Sequence, residues 1–522
     1  MTPRADQHHR DALAELAALL PANATARDCL IENLHVIQDR YDGLSRPHLR
    51  ALAEIMRLGL SEVFETATFY AHFRVLAEGE TAAPAPVRVC GGPICRQRGG
   101  DLLLQSTHAE EAPCLGLCDH APAALAGAHP VRRADAAAIA EALARPAETA
   151  FSTLESYGAF APRRHSRDAV LAELEAAGLR GMGGAGFPTP RKWQTVAAQP
   201  GPRLVVVNAD EGEPGTFKDR YFLETAPLAV LEGALTAAWV IGAEAVYIYL
   251  RDEYPDLHRA LRAEIAEIER RGLNDGITLH LRRGAGAYVC GEESALIESL
   301  EGKRGLPRQR PPYVAEVGLF GRPTLVNNVE TLYWVTTILK DGATAFAAHG
   351  RNGHHGLRAY SVSGRVRQPG VKIAPNGITI TELIEEFCGG METGHTLTAY
   401  LPGGASGGFL PAHLQPPLTF GAIEPYGGFI GSAAVMVLSQ ADDLRETARI
   451  LARFFADESC GQCTPCRLGT AKAAALLEQP RWNAEVLDDL AFVMRQASIC
   501  GLGQAAPNVW QSLHRHFPEF RS

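Results

Sequence analysis

The segment ESCGQCTPCRLGT sets Cys460, Cys463 and Cys466 at C-x2-C-x2-C spacing, and SICGLGQAAP adds Cys500. Thiolates two residues apart in a tight turn can reach neighbouring corners of one cluster, and a fourth from a distant helix closes the cage. The C-terminal part of the chain must therefore fold so that Cys500 returns onto the array. A structural zinc site prefers separate C-x2-C pairs, so the three-plus-one pattern favours a [4Fe–4S] cluster. A second group lies upstream, where CGGPIC gives Cys90 and Cys95 and CLGLC gives Cys114 and Cys118. A C-x4-C pair with a C-x3-C pair offers the four thiolates of a [2Fe–2S] cluster, two per iron; zinc and a metal-free remnant are the alternatives. Of the eleven cysteines only Cys29, Cys290 and Cys388 stand outside these groups. Clustering of this kind argues for metal or redox chemistry in a reducing compartment rather than for structural disulfides.

At 522 residues the chain exceeds one ordinary core and implies several domains. With 46% hydrophobic and 21% charged residues it reads as folded. A net charge of −9 gives no reason to expect nucleic-acid binding. The most apolar stretch, LAVLEGALTAAWVIGAEAVYIYL, is interrupted by Glu232 and Glu244 and reads as a helix followed by a strand, not a membrane span. The N-terminus has no apolar signal-peptide core. A cytoplasmic protein without direct membrane insertion is expected.

Apolar residues at three-to-four spacing in RDALAELAALL, ENLHVIQDRYDGL and RPHLRALAEIMRL predict an N-terminal helical domain over 1–85, closed by the loop EGETAAPAPV. Short strands, VRVC and AALAG, then flank the first cysteine group, in a unit placed at 86–150. The Ala-rich segment 134–177 reads as helical, broken by GAFAPRR. The strands RLVVVNAD, AVYIYL and ITLHL, alternating with helices and Gly-rich loops, predict an α/β domain over 151–345. AYSVSGRVRQPGVKI, GITITELIEEF and LTAYLPGG suggest a β-rich, β-grasp-like domain over 346–440, and 441–522 returns to helix. The fold class is thus multidomain α+β and α/β.

Within GLRGMGGAGFPTPRKW, Gly181, Gly183 and Gly186 match G-x-G-x-x-G. A dinucleotide-binding Rossmann fingerprint needs a strand immediately before the glycines. Here SRDAVLAELEAAGL precedes them with helical periodicity, so the match fails as a Rossmann site. Glycines still let backbone N–H groups approach a phosphate or a flat ring. Three companion loops strengthen a cofactor site. VVVNADEGEPGTFKDR carries Asn208, Asp210, Glu211 and Glu213; GAGAYVCGEESALIESLEGKRG places Tyr288, Gly291, Glu292 and Glu293 at a helix start; PTLVNNVETL adds Asn327, Asn328 and Thr331. Carboxylates and amides suit ribose hydroxyls and ring atoms, while the glycine loop and Lys192 suit phosphate.

Together RGMGGAGFPT, NADEGEPGTFKDR, YVCGEESALIESLEGKRG, PTLVNNVETL and ESCGQCTPCRLGT…ICGLG resemble the NADH-oxidising flavoprotein subunit of the respiratory complex I family, over about 160–522. Residues 10–130, with ATFYAHF and CLGLCDHAPAAL, resemble the thioredoxin-like [2Fe–2S] subunit of the same systems, so the chain is similar to a fusion of the two. The resemblance implies a central Rossmann-like α/β domain binding FMN and NADH, a ubiquitin-like β-grasp domain and a C-terminal four-helix bundle around the [4Fe–4S] cluster. It implies FMN contacts from Gly181, Gly183, Gly184, Gly186, Lys192, Asn208, Asp210, Tyr288, Gly291, Glu292, Asn327, Asn328 and Thr331. Phe187, Glu211, Glu213, Glu293 and Tyr313 would face the nicotinamide nucleotide, with Glu211 and Glu293 nearest the chemistry and no side chain acting as nucleophile. The implied activity is that of an NADH dehydrogenase (diaphorase) subunit, most like the beta subunit of an NAD-dependent formate dehydrogenase with a large molybdenum- or tungsten-pterin iron–sulfur partner. Complex I, a NAD-reducing hydrogenase and a zinc-bound scaffold are the alternatives. Two departures stand out: Met182 occupies a place where complex I members usually carry Arg, and RQRGGDLLLQSTHAEEAP is shorter than the usual insert between the first two cysteine pairs.

Overall fold

The computed structural model describes residues 3–82, 86–107, 109–145, 160–161 and 165–520. The boundary expected at 150/151 and most of GAFAPRR lie outside the described residues, as does the middle of the loop around 85.

Four helices, Pro3–Leu19, Leu30–Tyr41, Arg46–Met56 and Leu60–Phe69, form the N-terminal unit. A small sheet follows, built from β1 (Arg88–Cys90), β2 (Glu110–Ala112), β3 (Ala124–Ala126) and β4 (His129–Val131) in the order β2-β1-β3-β4. The short insert still supplies a helix, Gly100–Thr107, and the edge strand β2, which pairs parallel to β1.

The central sheet holds β5 (Arg203–Ala209), β6 (Ala243–Leu250), β7 (Thr278–Arg283) and β8 (Thr324–Asn328), all parallel, in the order β7-β6-β5-β8. Parallel strands are covered on both faces, which is why RLVVVNA is a near-continuous apolar run. Val205 and Val207 face a layer that includes the helices Thr189–Ala197, Pro227–Ile241 and Val329–Asp341. Leu204 and Val206 face the opposite way and share a core with Leu30, Leu34, Leu49 and Leu52 of the N-terminal helices. The N-terminal helices therefore complete the second layer of the central sheet. A reading by periodicity finds these helices but not the face they cover, because nothing local records that partner.

A third, mixed sheet comprises β9 (Leu357–Gly364), β10 (Gly370–Pro375), β11 (Leu397–Leu401), β12 (Leu410–Pro411) and β13 (Ala434–Ser439), ordered β10-β9-β13-β11-β12, with β9 and β13 parallel at its centre. GITITELIEEF was expected within the β-rich stretch, but folds as a helical turn, Ile380–Glu382, continuing through Leu383–Phe387. The cause is local: Thr379 and Glu382 form a reciprocal capping box, whose T-x-x-E signature outweighs the β-branched residues around it. The boundary placed at 345 falls inside the short helix Ala343–Ala347.

The C-terminal unit has helices Leu444–Asp457, Thr464–Leu477, Ala484–Ala497 and Asn508–His516, with a short helix Gly501–Ala505 before the last. Its Leu451, Phe455, Trp510 and Leu513 pack in one core with Leu401, Met436 and Leu438 of the mixed sheet and with Cys90, Cys95 and Leu115 around the small sheet. The apolar stretch around Glu232 forms the helix Pro227–Ile241 and then β6, as read from the sequence. Among the described residues no single helix is long and apolar enough to cross a membrane; a pair bent by 100°, Lys218–Thr225 and Pro227–Ile241, meets the length test only together.

Candidate redox and nucleotide-binding site

In the central sheet the neighbours of β5 are reached by connections leaving in opposite directions, so a crevice opens at the carboxyl ends of β5 and β8, where α/β proteins place ligands. Asn208 and Asn328 are register partners at that edge. The glycine loop closes over them although no strand precedes it; the element before it is the helix Arg167–Ala176. The Met182 amide donates to Thr331 Oγ1 at 2.9 Å, and the Gly181 amide to the Phe187 carbonyl at 2.8 Å. A Cβ on Gly183 would stand 3.0 Å from Asn328 Cβ, so only glycine lets this loop lie so close. Gly186, at φ +64°, lies against the Phe420 ring, and Gly184 adopts φ +124°.

The expected site residues divide into lining and supporting groups. Phe187 and Tyr313 are exposed aromatics, 47% and 54% accessible. Lys192 Nζ pairs with Glu293 Oε2 at 3.0 Å. Tyr288 OH donates to Glu213, whose other oxygen accepts from the Ser406 amide at 2.7 Å. Asn208 Nδ2 donates to the Gly291 carbonyl at 2.8 Å, tying the second loop to the third. Asn327, Thr331 and Glu211 are buried instead. Asn327 Oδ1 accepts from Trp193 Nε1 at 2.7 Å, and Thr331 serves the Met182 amide. Asn328 and Glu292 cap the helices that follow them, accepting from Glu330 N at 3.0 Å and from Ser294 N and Ala295 N at 3.0 and 2.9 Å.

Glu211 was expected to face the nicotinamide nucleotide, but its carboxylate turns into the protein. It accepts from the Asp219 and Arg220 amides at 2.8 and 3.1 Å, at the start of the helix Lys218–Thr225, and from Tyr254 OH at 3.2 Å. Burial, reinforced by the Asp219 charge, pushes its carboxyl up to about 8. Burial also holds Asp210 well above the usual carboxylate range, and its Oδ2 is buried without a protein partner. Glu293 moves the other way: burial opposes the charge, but Lys192 and Arg310 outweigh it and lower the carboxyl. Met182 is 6% exposed and packs in the apolar core beneath the loop.

Several contributors escaped sequence reading. Arg310 pairs with Glu292 and stands 3.6 Å from Glu293. Lys218 is wholly buried, 2.8 Å from Asp219 Oδ1, 3.1 Å from Glu330 Oε2 and 3.3 Å from Asn328 Oδ1. Burial opposes its charge, but the surrounding carboxylates hold it well above the ordinary lysine value. No local pattern distinguishes such a lysine from one on a solvated helix face, since its partners come from distant loops.

Both cysteine groups close. Cys90, Cys95, Cys114 and Cys118 are all buried, with Cys114 Sγ 3.5 Å from Cys118 Sγ. Thiol hydrogen bonds from Cys118 and Cys90 hold Cys114 well below the usual range. Four buried thiols facing one another with so few other polar partners are the donor set of a metal cluster. In the second group Cys463 N-caps the helix Thr464–Leu477, Cys466 sits in its first turn, and Cys500 N-caps Gly501–Ala505. Together with Cys460, Val289, Pro307 and Leu502 they line one recess. Burial raises the Cys466 and Cys500 thiols to about 11 and about 12. Val289 adjoins Tyr288, whose amide donates to Glu458 Oε2 at 2.9 Å, so the recess shares a wall with the crevice. Glycine cradle, orphaned carboxyl and two thiol cages fit a flat flavin flanked by two clusters.

Comparison with known proteins bears this out. Residues 174–337 match the Nuo51 FMN-binding domain, 446–521 the NADH-ubiquinone oxidoreductase-F iron–sulfur binding region and 16–110 the thioredoxin-like [2Fe-2S] ferredoxin family. The NADH-quinone oxidoreductase F subunit of Rhodobacter capsulatus is 43% identical over 378 residues, 68% of this chain and 87% of that one. Its counterpart from Aquifex aeolicus is 41% identical over 368 residues, 68% and 85% of the two chains. Among solved structures, a NAD+-reducing [NiFe]-hydrogenase in the H2-reduced state superposes with a TM-score of 0.83 at 35% identity, covering 95% of this chain and 92% of that one. The chain belongs to the NADH-quinone oxidoreductase F family, as an NADH-oxidising subunit that carries FMN, a [4Fe–4S] cluster and, in its N-terminal part, a [2Fe–2S] cluster.

Proposed function

We propose that the chain is the NAD(H)-handling beta subunit of a formate dehydrogenase, exchanging electrons with a large molybdenum- or tungsten-pterin iron–sulfur subunit in the cytoplasm. The observation that carries the diaphorase reading is the convergence of four loops on one switch-point crevice, with a thiol cage against each of two sides. When bound, FMN takes a hydride, two electrons with one proton, from NADH, and the clusters carry electrons singly.

This chain's own residues orient, exclude water and fix charge. Gly183, Gly184 and Gly186 bring backbone amides against the cofactor, Gly181 fixes the loop by donating to the Phe187 carbonyl, and Lys192 offers a cation to phosphate. Asn208, Asp210, Tyr288, Gly291 and Asn328 edge the flavin position, while Glu292, Asn327 and Thr331 hold its walls. Phe187 and Tyr313 offer exposed rings on which a nicotinamide nucleotide stacks. Glu293 suits a ribose hydroxyl, because a carboxylate kept ionised accepts hydrogen bonds, whereas Glu213, raised by burial and held by Tyr288 and Ser406, shapes the wall beside it. Cys460, Cys463, Cys466 and Cys500 hold the [4Fe–4S] cluster; Cys90, Cys95, Cys114 and Cys118 hold the [2Fe–2S] cluster.

The formate dehydrogenase assignment rests on the sequence resemblance of the fused modules. A hydrogenase-type complex is the second reading, favoured by the superposition over 92% of a NAD+-reducing hydrogenase chain, whereas the quinone oxidoreductase relatives account for only 68% of this one. Purification of the native complex decides between them. A co-purifying pterin subunit with formate-driven NAD+ reduction is expected; nickel-containing or membrane-embedded partners would overturn the assignment.

A further inference from the structure

Two buried arginines of the central domain reach into the loop that carries Cys114 and Cys118. Arg220 donates from Nε to the Gly116 carbonyl at 3.0 Å, and its charge is met by two carboxylates, Asp119 at 2.8 Å and Glu224 at 3.0 Å. Arg251, 3% exposed, is balanced differently. Its Nη2 donates to the Cys114 carbonyl at 2.7 Å, its Nη1 to the Glu211 carbonyl, and its Nε to Glu253 Oε2 at 3.0 Å. The guanidinium lies 5.0 Å from the Tyr254 ring centroid. It therefore has one carboxylate and two neutral carbonyls against it; Asp210 and Glu458 act on it from farther away, as carboxyls that burial pushes up. One of those carbonyls belongs to the flavin-side turn and the other to a cysteine of the N-terminal cage.

We propose that Arg251 is a positioning residue that fastens the N-terminal cage to the flavin-side turn and sets the reduction potential of the cluster held by Cys90, Cys95, Cys114 and Cys118. The inference rests on the reading of those four cysteines as an iron–sulfur cage. One-electron reduction adds one negative charge within the cage, the electron coming from NADH through the flavin in the enzyme and from dithionite in a titration. A fixed cation whose Nη2 faces a cage cysteine while its counter-ion Glu253 sits at Nε favours that charge, and the low dielectric around it leaves the interaction poorly screened. A neutral side chain in its place disfavours the reduced form, whereas removal of Glu253's charge leaves the cation stronger and favours it.

The test is an EPR-monitored redox titration of the cluster-loaded full chain, with the C-terminal cluster as internal reference. Arg251→Met is expected to shift the N-terminal cluster's reduction equilibrium about tenfold toward the oxidised form, about 59 mV downward for one electron. Arg251→Lys, which keeps the charge, should recover most of that shift, and Glu253→Gln should move the midpoint upward. If Arg251→Met fails to load its cluster, the sign of the Glu253→Gln shift decides. An unmoved midpoint in the variants, a downward shift in Glu253→Gln, or equal shifts of both clusters would overturn the proposal. Absence of the N-terminal signal from the unsubstituted chain would overturn the cage reading itself, and Arg251's role with it.

Discussion

The two cysteine cages reach the same crevice by opposite means. The N-terminal cage is assembled from a strand end, a helix and a loop, lies wholly inside the protein, and is fastened by arginines from another domain. The C-terminal cage is a local device: three cysteines on one turn and helix start, a fourth at another helix cap, with Cys460, Cys463 and Cys500 only partly buried. A cage built mainly on one turn and helix start depends less on the rest of the fold, although Cys500, Val289 and Pro307 complete it. A cage made by tertiary packing is part of the core, and losing it should cost stability as well as iron.

Serine substitutions test that contrast most strongly. A chain holding both clusters carries about six irons. Cys463→Ser should leave about two, abolish electron delivery to the partner complex, and leave NADH–ferricyanide activity and thermal stability close to the parent's. Cys114→Ser should leave about four irons and also lower stability by about 1–3 kcal/mol or more, because buried polar groups lose their partners. Iron analysis with thermal denaturation measures both; equal loss of stability in the two variants would dissolve the comparison.

Gly183→Ala sharpens it by separating flavin from iron. The Cβ added within the glycine loop meets Asn328 at 3.0 Å. FMN affinity should fall at least about tenfold, roughly 1.4 kcal/mol, with iron content unchanged, as read by flavin fluorescence on dilution.

A pH-dependent effect concerns the carboxyl beneath the N-terminal cage. Glu211 is raised in the fold from 4.5 to about 8 by burial. Between these values the unfolded chain binds fewer protons than the folded one, so stability falls as pH rises through the window. The contribution is full below about 4.5 and lost above about 8. Glu211→Gln should therefore lose less Tm than the parent between those limits, and an unchanged Tm difference across the window would contradict the burial argument.

Sequence alone disclosed whatever a short segment encodes: the three-plus-one cysteine pattern, the failure of the glycine loop as a Rossmann fingerprint, and the strand runs of the central sheet. Its reach ended where partners are remote. Nothing near Leu34 or Leu52 says that these side chains pack on Leu204 and Val206. Nothing near Glu211 says that its carboxylate caps a helix instead of facing a ligand. Arg251 belongs to neither the cysteine motif nor the acidic loop, yet touches a residue of each, Cys114 and Glu211. The shortened insert does not open the N-terminal cage, since the strand β2 and the loop carrying Cys114 and Cys118 survive it. The one overlooked local signal was the capping box at Thr379 and Glu382.

If one crevice passes electrons from NADH into two cages, a single optical experiment reads it out. Anaerobic addition of NADH to the purified, cofactor-loaded chain, followed by its visible spectrum, tests it most directly. Bleaching of both flavin and iron–sulfur absorbance is expected. A spectrum left unchanged by NADH, in protein that demonstrably holds flavin and iron, would contradict it.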